Sequence, residues 1–183
     1  MTGPDPLDDA VERMLAGDEE AFRTVYRAVQ PPLLRYLTVL VGSADAEDVA
    51  SEAWSQAFRD LDRFTGDADG FRGWITTIGR NRAFDHLRRS SRRPLSEQTI
   101  EDLIDLPDQV DVELDTLGRL SSQAVLRLIG QLPRDQAEAI MLRTVLGFDA
   151  PTAARILGKR PGAVRAAAHR GLKQLAKTIS EDP

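Results

Sequence analysis

Apolar side chains recur at three- and four-residue intervals over most of this chain, the spacing of one face of an α-helix. Residues 18–29 open on an aspartate able to cap, and place Ala21, Phe22, Val25, Tyr26 and Val29 on that rhythm. Pro31 and Pro32 are expected to open a second helix, since proline fits a first turn, where its missing N–H has no helical partner. That helix carries Leu33, Leu34, Leu37, Leu40 and Val41 and stops at Gly42. Ser43 can cap a third, with Ala46, Val49, Ala50, Ala53, Trp54, Ala57, Phe58 and Leu61 along one stripe. After a Gly- and Asp-rich loop at 65–70, a fourth helix is expected from about Phe71 to Ser90, with Trp74, Ile75 and Ile78 in the core. Residues 94–117 break the rhythm: they are acidic, hold two prolines, and suit a linker with one helical turn around Thr99 to Ile104. Further helices are expected near 118–131, 133–146, 150–157 and 161–177. No stretch alternates with period two for long enough to claim a strand, and no repeat is visible. The pattern predicts an all-α protein of two small helical domains, residues 1–93 and 118–183, joined by an acidic linker at 94–117.

Composition adds exclusions. The 183 residues contain no cysteine, which removes disulfides, thiol catalysis and thiolate metal sites. The strongest apolar run, Leu33 to Val41, is interrupted by Arg35 and is far short of the ~20 residues that span a bilayer. The acidic start MTGPDPLDDA lacks the features of a signal peptide, so a soluble, cytoplasmic protein without membrane insertion is expected. The formal net charge of −5 conceals segregation, for residues 1–20 sum to −6, 71–93 to +6, 94–120 to −7 and 155–177 to +7. Two basic blocks flanking an acidic one suit a nucleic-acid partner better than the net charge does.

Three segments carry candidate chemistry. In 149–177 a short helix with Ala153, Ala154, Ile156 and Leu157 is followed by Gly158, a turn, and a helix opened by Pro161. Val164, Ala168, Leu172 and Leu175 are expected to pack that second helix on the first, leaving Arg160, Arg165, His169, Arg170 and Lys173 outward. This is the helix-turn-helix pattern, whose second helix enters the DNA major groove; a plain helical hairpin with a basic face is the alternative. The third helix has a polar side of Asp45, Asp48, Ser51, Glu52, Ser55 and Arg59. Asp48 and Glu52 are neighbours at i, i+4, but a carboxylate metal site needs further ligands such as a facing Glu-x-x-His, and none is present. A solvated face or a protein-docking surface remains. The fourth helix mixes Phe71, Trp74 and Phe84 with Arg72, Arg80, Asn81, Arg82, Arg88 and Arg89. Aromatics at helical spacing serve a core, yet cations beside aromatic planes also suit single-stranded DNA. His86 and His169 stand apart from any metal-like cluster, so no catalytic residue, metal or cofactor is expected.

The segments GDEEAFRTVYR (17–27), DAEDVASEAWSQAFRDLDRF (45–64), FRGWITTIGRNRAFDHLRR (71–89) and LPRDQAEAIMLRTVLGFDAPTAARILGKRPGAVRAAAHRGLKQL (132–175) together resemble the extracytoplasmic-function (ECF) group of bacterial sigma factors. The resemblance covers both domains in order. It implies a dissociable subunit that directs core RNA polymerase to promoters, with no active site of its own. It implies that Asp48, Ser51, Glu52 and Ser55 contact core polymerase. The loop Thr65–Gly70, with Trp74, Arg80, Asn81, Arg82 and Arg88, would read and melt the −10 element. Arg160, Arg165, His169, Arg170 and Lys173 would read the −35 element. It further implies a linker running through the polymerase cleft, where acidic residues mimic nucleic-acid charge, and an anti-sigma factor as a partner type. The chain departs from the family with Ser51 where glutamine is common, APTAA at 150–154 where two acids usually stand, and Ala166 and Ala167 in the recognition helix. A stand-alone helix-turn-helix regulator, binding duplex DNA tightly by itself, is the rival reading.

Overall fold

The computed structural model describes residues 5–91 and 122–181, and every regular element among them is helical. The N-terminal half holds α1 (Pro6–Leu15), α2 (Glu19–Val41), α3 (Ser43–Arg59) and α4 (Ala68–Ser91), with a 3-10 turn at Leu61–Arg63. The C-terminal half holds α5 (Ser122–Gly130), α6 (Arg134–Ile140), α7 (Ala150–Leu157) and α8 (Pro161–Glu181). A π turn at Met141–Val145 extends α6, closed by a Leu146 N–H bond to the Met141 carbonyl five residues back. The expected linker with its turn at 99–104, Arg92 and Arg93, and positions 118–121 fall outside the described residues.

α1 was absent from the periodic reading, although its signals are local. The Asp5 carboxylate accepts from the Leu7 N–H at 3.0 Å, Pro6 occupies the first turn, and Ala10, Val11 and Met14 are buried against the rest of the half. α2 corrects a second expectation. Pro31 and Pro32 do not open a new helix; they lie inside one that runs unbroken from Glu19 to Val41. The carbonyls they leave unbonded belong to Arg27 and Ala28 on the exposed side. Val25 and Val29 before them, and Leu33, Tyr36 and Leu37 after them, are all buried on the other. Burial on both flanks holds the helix in line, at roughly 1.5–3 kcal/mol for each large apolar side chain.

α3 presents Ala46, Val49, Ala50, Ala53 and Ala57 inward, small enough for α4 to lie close. α4 is buried at Phe71, Ile75, Thr76, Ile78, Gly79 and Ala83, which do not form a single stripe. It is gripped from two sides, by α2 and α3 and by the C-terminal half. Ile75 and Ile78 are core as expected, whereas Trp74 is half-buried.

In the C-terminal half, Gly158 (φ 62°, ψ 35°) takes the left-handed conformation that ends α7, and α8 starts at Pro161. Val164, Ala167, Ala168 and Leu175 are buried, but Leu172 is 47% exposed, against expectation. The centre of the buried face is Gly171, where an added Cβ would lie 2.6 Å from Ile140 Cδ1, so α8 approaches α6 too closely for a side chain there. Leu172, one residue round, is turned out.

The two halves share one continuous core. Arg80 of α4 donates to Glu138 of α6 through Nε (2.7 Å) and Nη2 (3.2 Å), and the Tyr36 hydroxyl donates to the same carboxylate at 2.7 Å. The guanidiniums of Arg80 (4.5 Å) and Arg134 (4.9 Å) both lie over the Phe84 ring. Arg72 donates to the Leu146 carbonyl and lies 5.2 Å from the centre of the Phe148 ring.

Candidate nucleic-acid interface and docking face

Turning its alanines inward leaves α3 with an outward face that contains Asp48, Ser51, Glu52 and Ser55, all exposed. The sequence reading missed Phe58. It falls three and seven residues beyond Ser55 and Ser51, on the same side, and is 66% exposed. It is held by an edge-on contact with Phe22 (6.0 Å, 82°). Phe22 also meets Trp54, whose indole N–H donates to Gln30 at 2.7 Å, so the apolar end of this face rests on a fixed aromatic cluster. Only its periodic position was visible in the sequence, where it reads as core. Glu52 lies 3.5 Å from Arg89 of α4 in an exposed pair, worth at most about 1 kcal/mol.

The loop before α4 is ordered by side chains. Phe64 stacks on Trp74 (5.0 Å, 29°) and meets Phe71 edge-on (5.5 Å, 85°). Gly66 has φ 152°, and a Cβ there would lie 3.1 Å from Phe64 Cζ, so glycine is needed for the loop to fold over the ring. Asp67 Oδ1 accepts from the Gly70 N–H at 2.8 Å, capping α4, and Asp8 of α1 accepts from the Ala68 N–H at 2.9 Å. Thr65 stays exposed. An open cleft of about 460 Å³ lies beside this loop, between Asp67, Gly73, Trp74 and Thr77 on one side and Thr152, Arg155 and Ile156 of α7 on the other.

The remaining candidates along α4 differ in their surroundings. Asn81 is exposed, and Arg88, also exposed, pairs with Asp85. Arg82 donates through Nε (2.8 Å) and Nη2 (2.6 Å) to Gln56 Oε1, tying α4 to α3. Arg80 is taken up by Glu138, a carboxylate 3% exposed. Burial works against the charge on Arg80, and the hydrogen bond and charge of Glu138 outweigh it, so its pKa stands above the ordinary value. Burial, then the Glu138 charge, holds the Tyr36 hydroxyl well above its usual range and therefore neutral as the donor.

Arg160, in the turn before α8, and Arg165, His169, Arg170 and Lys173 on α8 are all exposed. Arg170 makes one loose pair with Asp135 at 3.7 Å. Ala167, by contrast, is buried against the preceding helices. Among the described residues no three His, Cys, Asp or Glu side chains gather as metal ligands would, and no helix is long and apolar enough to cross a membrane.

Known proteins carry the same two segments in the same order. Residues 25–93 match the sigma-70 region 2 family and residues 122–175 match sigma-70 region 4. The ECF RNA polymerase sigma factor BldN of Streptomyces coelicolor is 32% identical over 176 residues, 95% of this chain, which spans 66% of BldN's length. SigD, an ECF RNA polymerase sigma factor of Mycobacterium tuberculosis, is 30% identical over 182 residues, covering 94% of this chain and 84% of SigD. The ECF RNA polymerase sigma-E factor of Escherichia coli is 33% identical over 162 residues, 85% of this chain and 84% of its own. Two solved structures share the fold: CnrH in complex with the cytosolic domain of CnrY (TM-score 0.67, 23% identity, 98% of this chain and 100% of that one), and the sigma factor RpoE in complex with the anti-sigma factor NepR from Bartonella quintana (TM-score 0.67, 24% identity, 88% and 98%).

Proposed function

Because the chain belongs to the ECF RNA polymerase sigma factors, we propose that its surfaces divide the work of promoter recognition as follows. The unit of residues 1–93 docks core polymerase through Asp48, Ser51, Glu52 and Ser55, with Phe58 as the apolar end of that face. Its loop at 65–67 and α4, which starts three residues earlier than the sequence suggests, read and melt the −10 element with Thr65, Trp74, Asn81, Arg88 and the released Arg80; Arg82 contributes by fixing α4 on α3. The unit of residues 118–183 places α8 in the major groove of the −35 element through Arg160, Arg165, His169, Arg170 and Lys173. Residues 94–117 connect the two. No chemistry of its own is assigned to the chain, and it acts in the cytoplasm with polymerase.

The observation that carries this reading is the disposition of the candidates: all four residues of α3, Arg160 and the four residues of α8 are open to solvent, on faces of opposite charge. Arg80 is the exception, and it adds a step. Glu138 must release Arg80 before Arg80 can meet DNA, so engagement of the −10 element requires the C-terminal half to move off α4. The structure thus favours a free form that is folded closed. An anti-sigma factor is a partner of the same reading, supported by the solved complex of the related-fold RpoE with NepR.

Gel filtration with bacterial core RNA polymerase tests the assignment. Wild type is expected to co-elute and Glu52→Lys is not, while remaining folded, since its pair with Arg89 is exposed. Retained binding by a folded Glu52→Lys overturns the docking face. Tight duplex binding by the chain alone, with no co-elution, favours the stand-alone regulator instead.

A further inference from the structure

The loop that precedes α4 is anchored at its far end by a residue remote in sequence. Asp8 lies in the first turn of α1, and its Oδ1 accepts the Ala68 N–H at 2.9 Å across 60 positions. Ala68 opens α4 and is 1% exposed. Its N–H belongs to the first turn, where a helix supplies no internal acceptor, and a buried amide without one is costly. Asp67 serves the Gly70 N–H in the same turn at 2.8 Å. Two carboxylates therefore cap this helix, one local and one from α1, and both complement the positive end of its dipole. With Phe64 stacked on Trp74 at the near end, Thr65 and Gly66 are held between fixed points.

We propose that Asp8 is a positioning residue for −10 recognition: through the Ala68 amide it holds the loop at 65–67 and the first turn of α4 where Thr65 and Trp74 meet the displaced strand. This rests on the −10 role given above to that loop. Residues 25–93 and 122–175 carry the family matches, and Asp8 lies outside both. Attachment of α1 itself does not depend on Asp8, because Ala10, Val11 and Met14 are already buried. The carboxylate is thus spent on the loop.

The test uses holoenzyme assembled with wild type, Asp8→Ala, Asp8→Asn or Trp74→Ala. The probe is a labelled single strand carrying the non-template −10 sequence of a promoter that wild type transcribes, compared with the same strand after replacement of its −10 bases. Asp8→Ala is expected to lose about fivefold of the preference for the native strand, the ratio one lost helix cap is worth. Asp8→Asn keeps an oxygen acceptor and retains the preference to within about twofold. Affinity for core polymerase and for −35 duplex stays unchanged in both. If Asp8→Ala fails to fold, Asp8→Leu, which has no side-chain acceptor, takes its place with the same loss expected. Full preference in Asp8→Ala with loss in Trp74→Ala overturns the inference and leaves the −10 reading standing. Full preference in both overturns the −10 reading, and the inference with it. Loss of core binding by both Asp8 variants shows a role in the fold alone and also overturns it.

Discussion

Glu138 receives two donors from the other half of the chain and is itself almost fully buried. Its carboxylate meets the Arg80 guanidinium at 2.7 and 3.2 Å and the Tyr36 hydroxyl at 2.7 Å. Removing one member of such a group strands the rest, which is costlier than the net worth of the group. Glu138→Ala is expected to destabilise the chain by about 3 kcal/mol, near the low end for a broken buried pair because Arg80 can turn outward. Tyr36→Phe leaves the ion pair intact and should cost about 1 kcal/mol. Urea unfolding of the two variants checks the order; equal losses would show that Arg80 gains nothing from Glu138. None of this was legible in the sequence. Arg80 read correctly as a cation among aromatics, but no spacing rule connects it to a glutamate 58 positions away.

Helices other than α1 were legible from local signals. Asp149 and Gly158 bracket α7 as a cap and a left-handed stop, and both stand at the ends of the apolar pattern. The Asp149 carboxylate accepts from the Thr152 N–H at 2.8 Å, and that bond, then the Thr152 hydroxyl, holds it below the usual carboxylate range. A depressed folded value means that the cap stabilises fully above the ordinary value and is lost as pH falls through the folded one. Relative to Asp149→Asn, wild type should therefore hold a stability advantage at neutral pH that shrinks below about pH 4. Thermal unfolding followed by circular dichroism across that range decides it; an advantage constant with pH would remove the charge from the account. α2 shows the opposite case. Pro31 and Pro32 are strong local breakers, yet Val29 and Leu33 are buried on either side of them, and the helix continues because both flanks pack on the same core. Leu172 loses its expected place to Gly171 for a related reason: α8 is turned by its approach to α6, which a count of apolar positions does not contain.

At the scale of the whole molecule, the two halves close on each other with α4 between them. A Cβ at Gly73 would lie 3.7 Å from Thr152 Cγ2 of α7, so the two positions are in contact and suit a cysteine cross-link. The natural chain has no cysteine, so a Gly73→Cys, Thr152→Cys double variant carries a single pair. Oxidised, it is expected to keep its α3 face open to core polymerase yet fail to open a promoter; reduction should restore opening. Permanganate footprinting of the −10 region reads this directly. Promoter opening by the oxidised form would show that the closed arrangement does not obstruct the −10 helix.

The sequence by itself determined the all-α class, the helix-turn-helix and its outward basic residues, the acidic face of α3 and the membership that these segments carry. Those features depend on side-chain period, capping and turn residues, which act over a few positions and leave their mark in order along the chain. Tertiary structure decided which side of α4 is covered and which of its arginines are already engaged. It also decided that α2 passes through two prolines and that a carboxylate from α1 completes the cap of α4. Each of these depends on groups brought together from distant positions, where the gain lies in burial and in satisfying polar atoms inside it, and neither has a period to read.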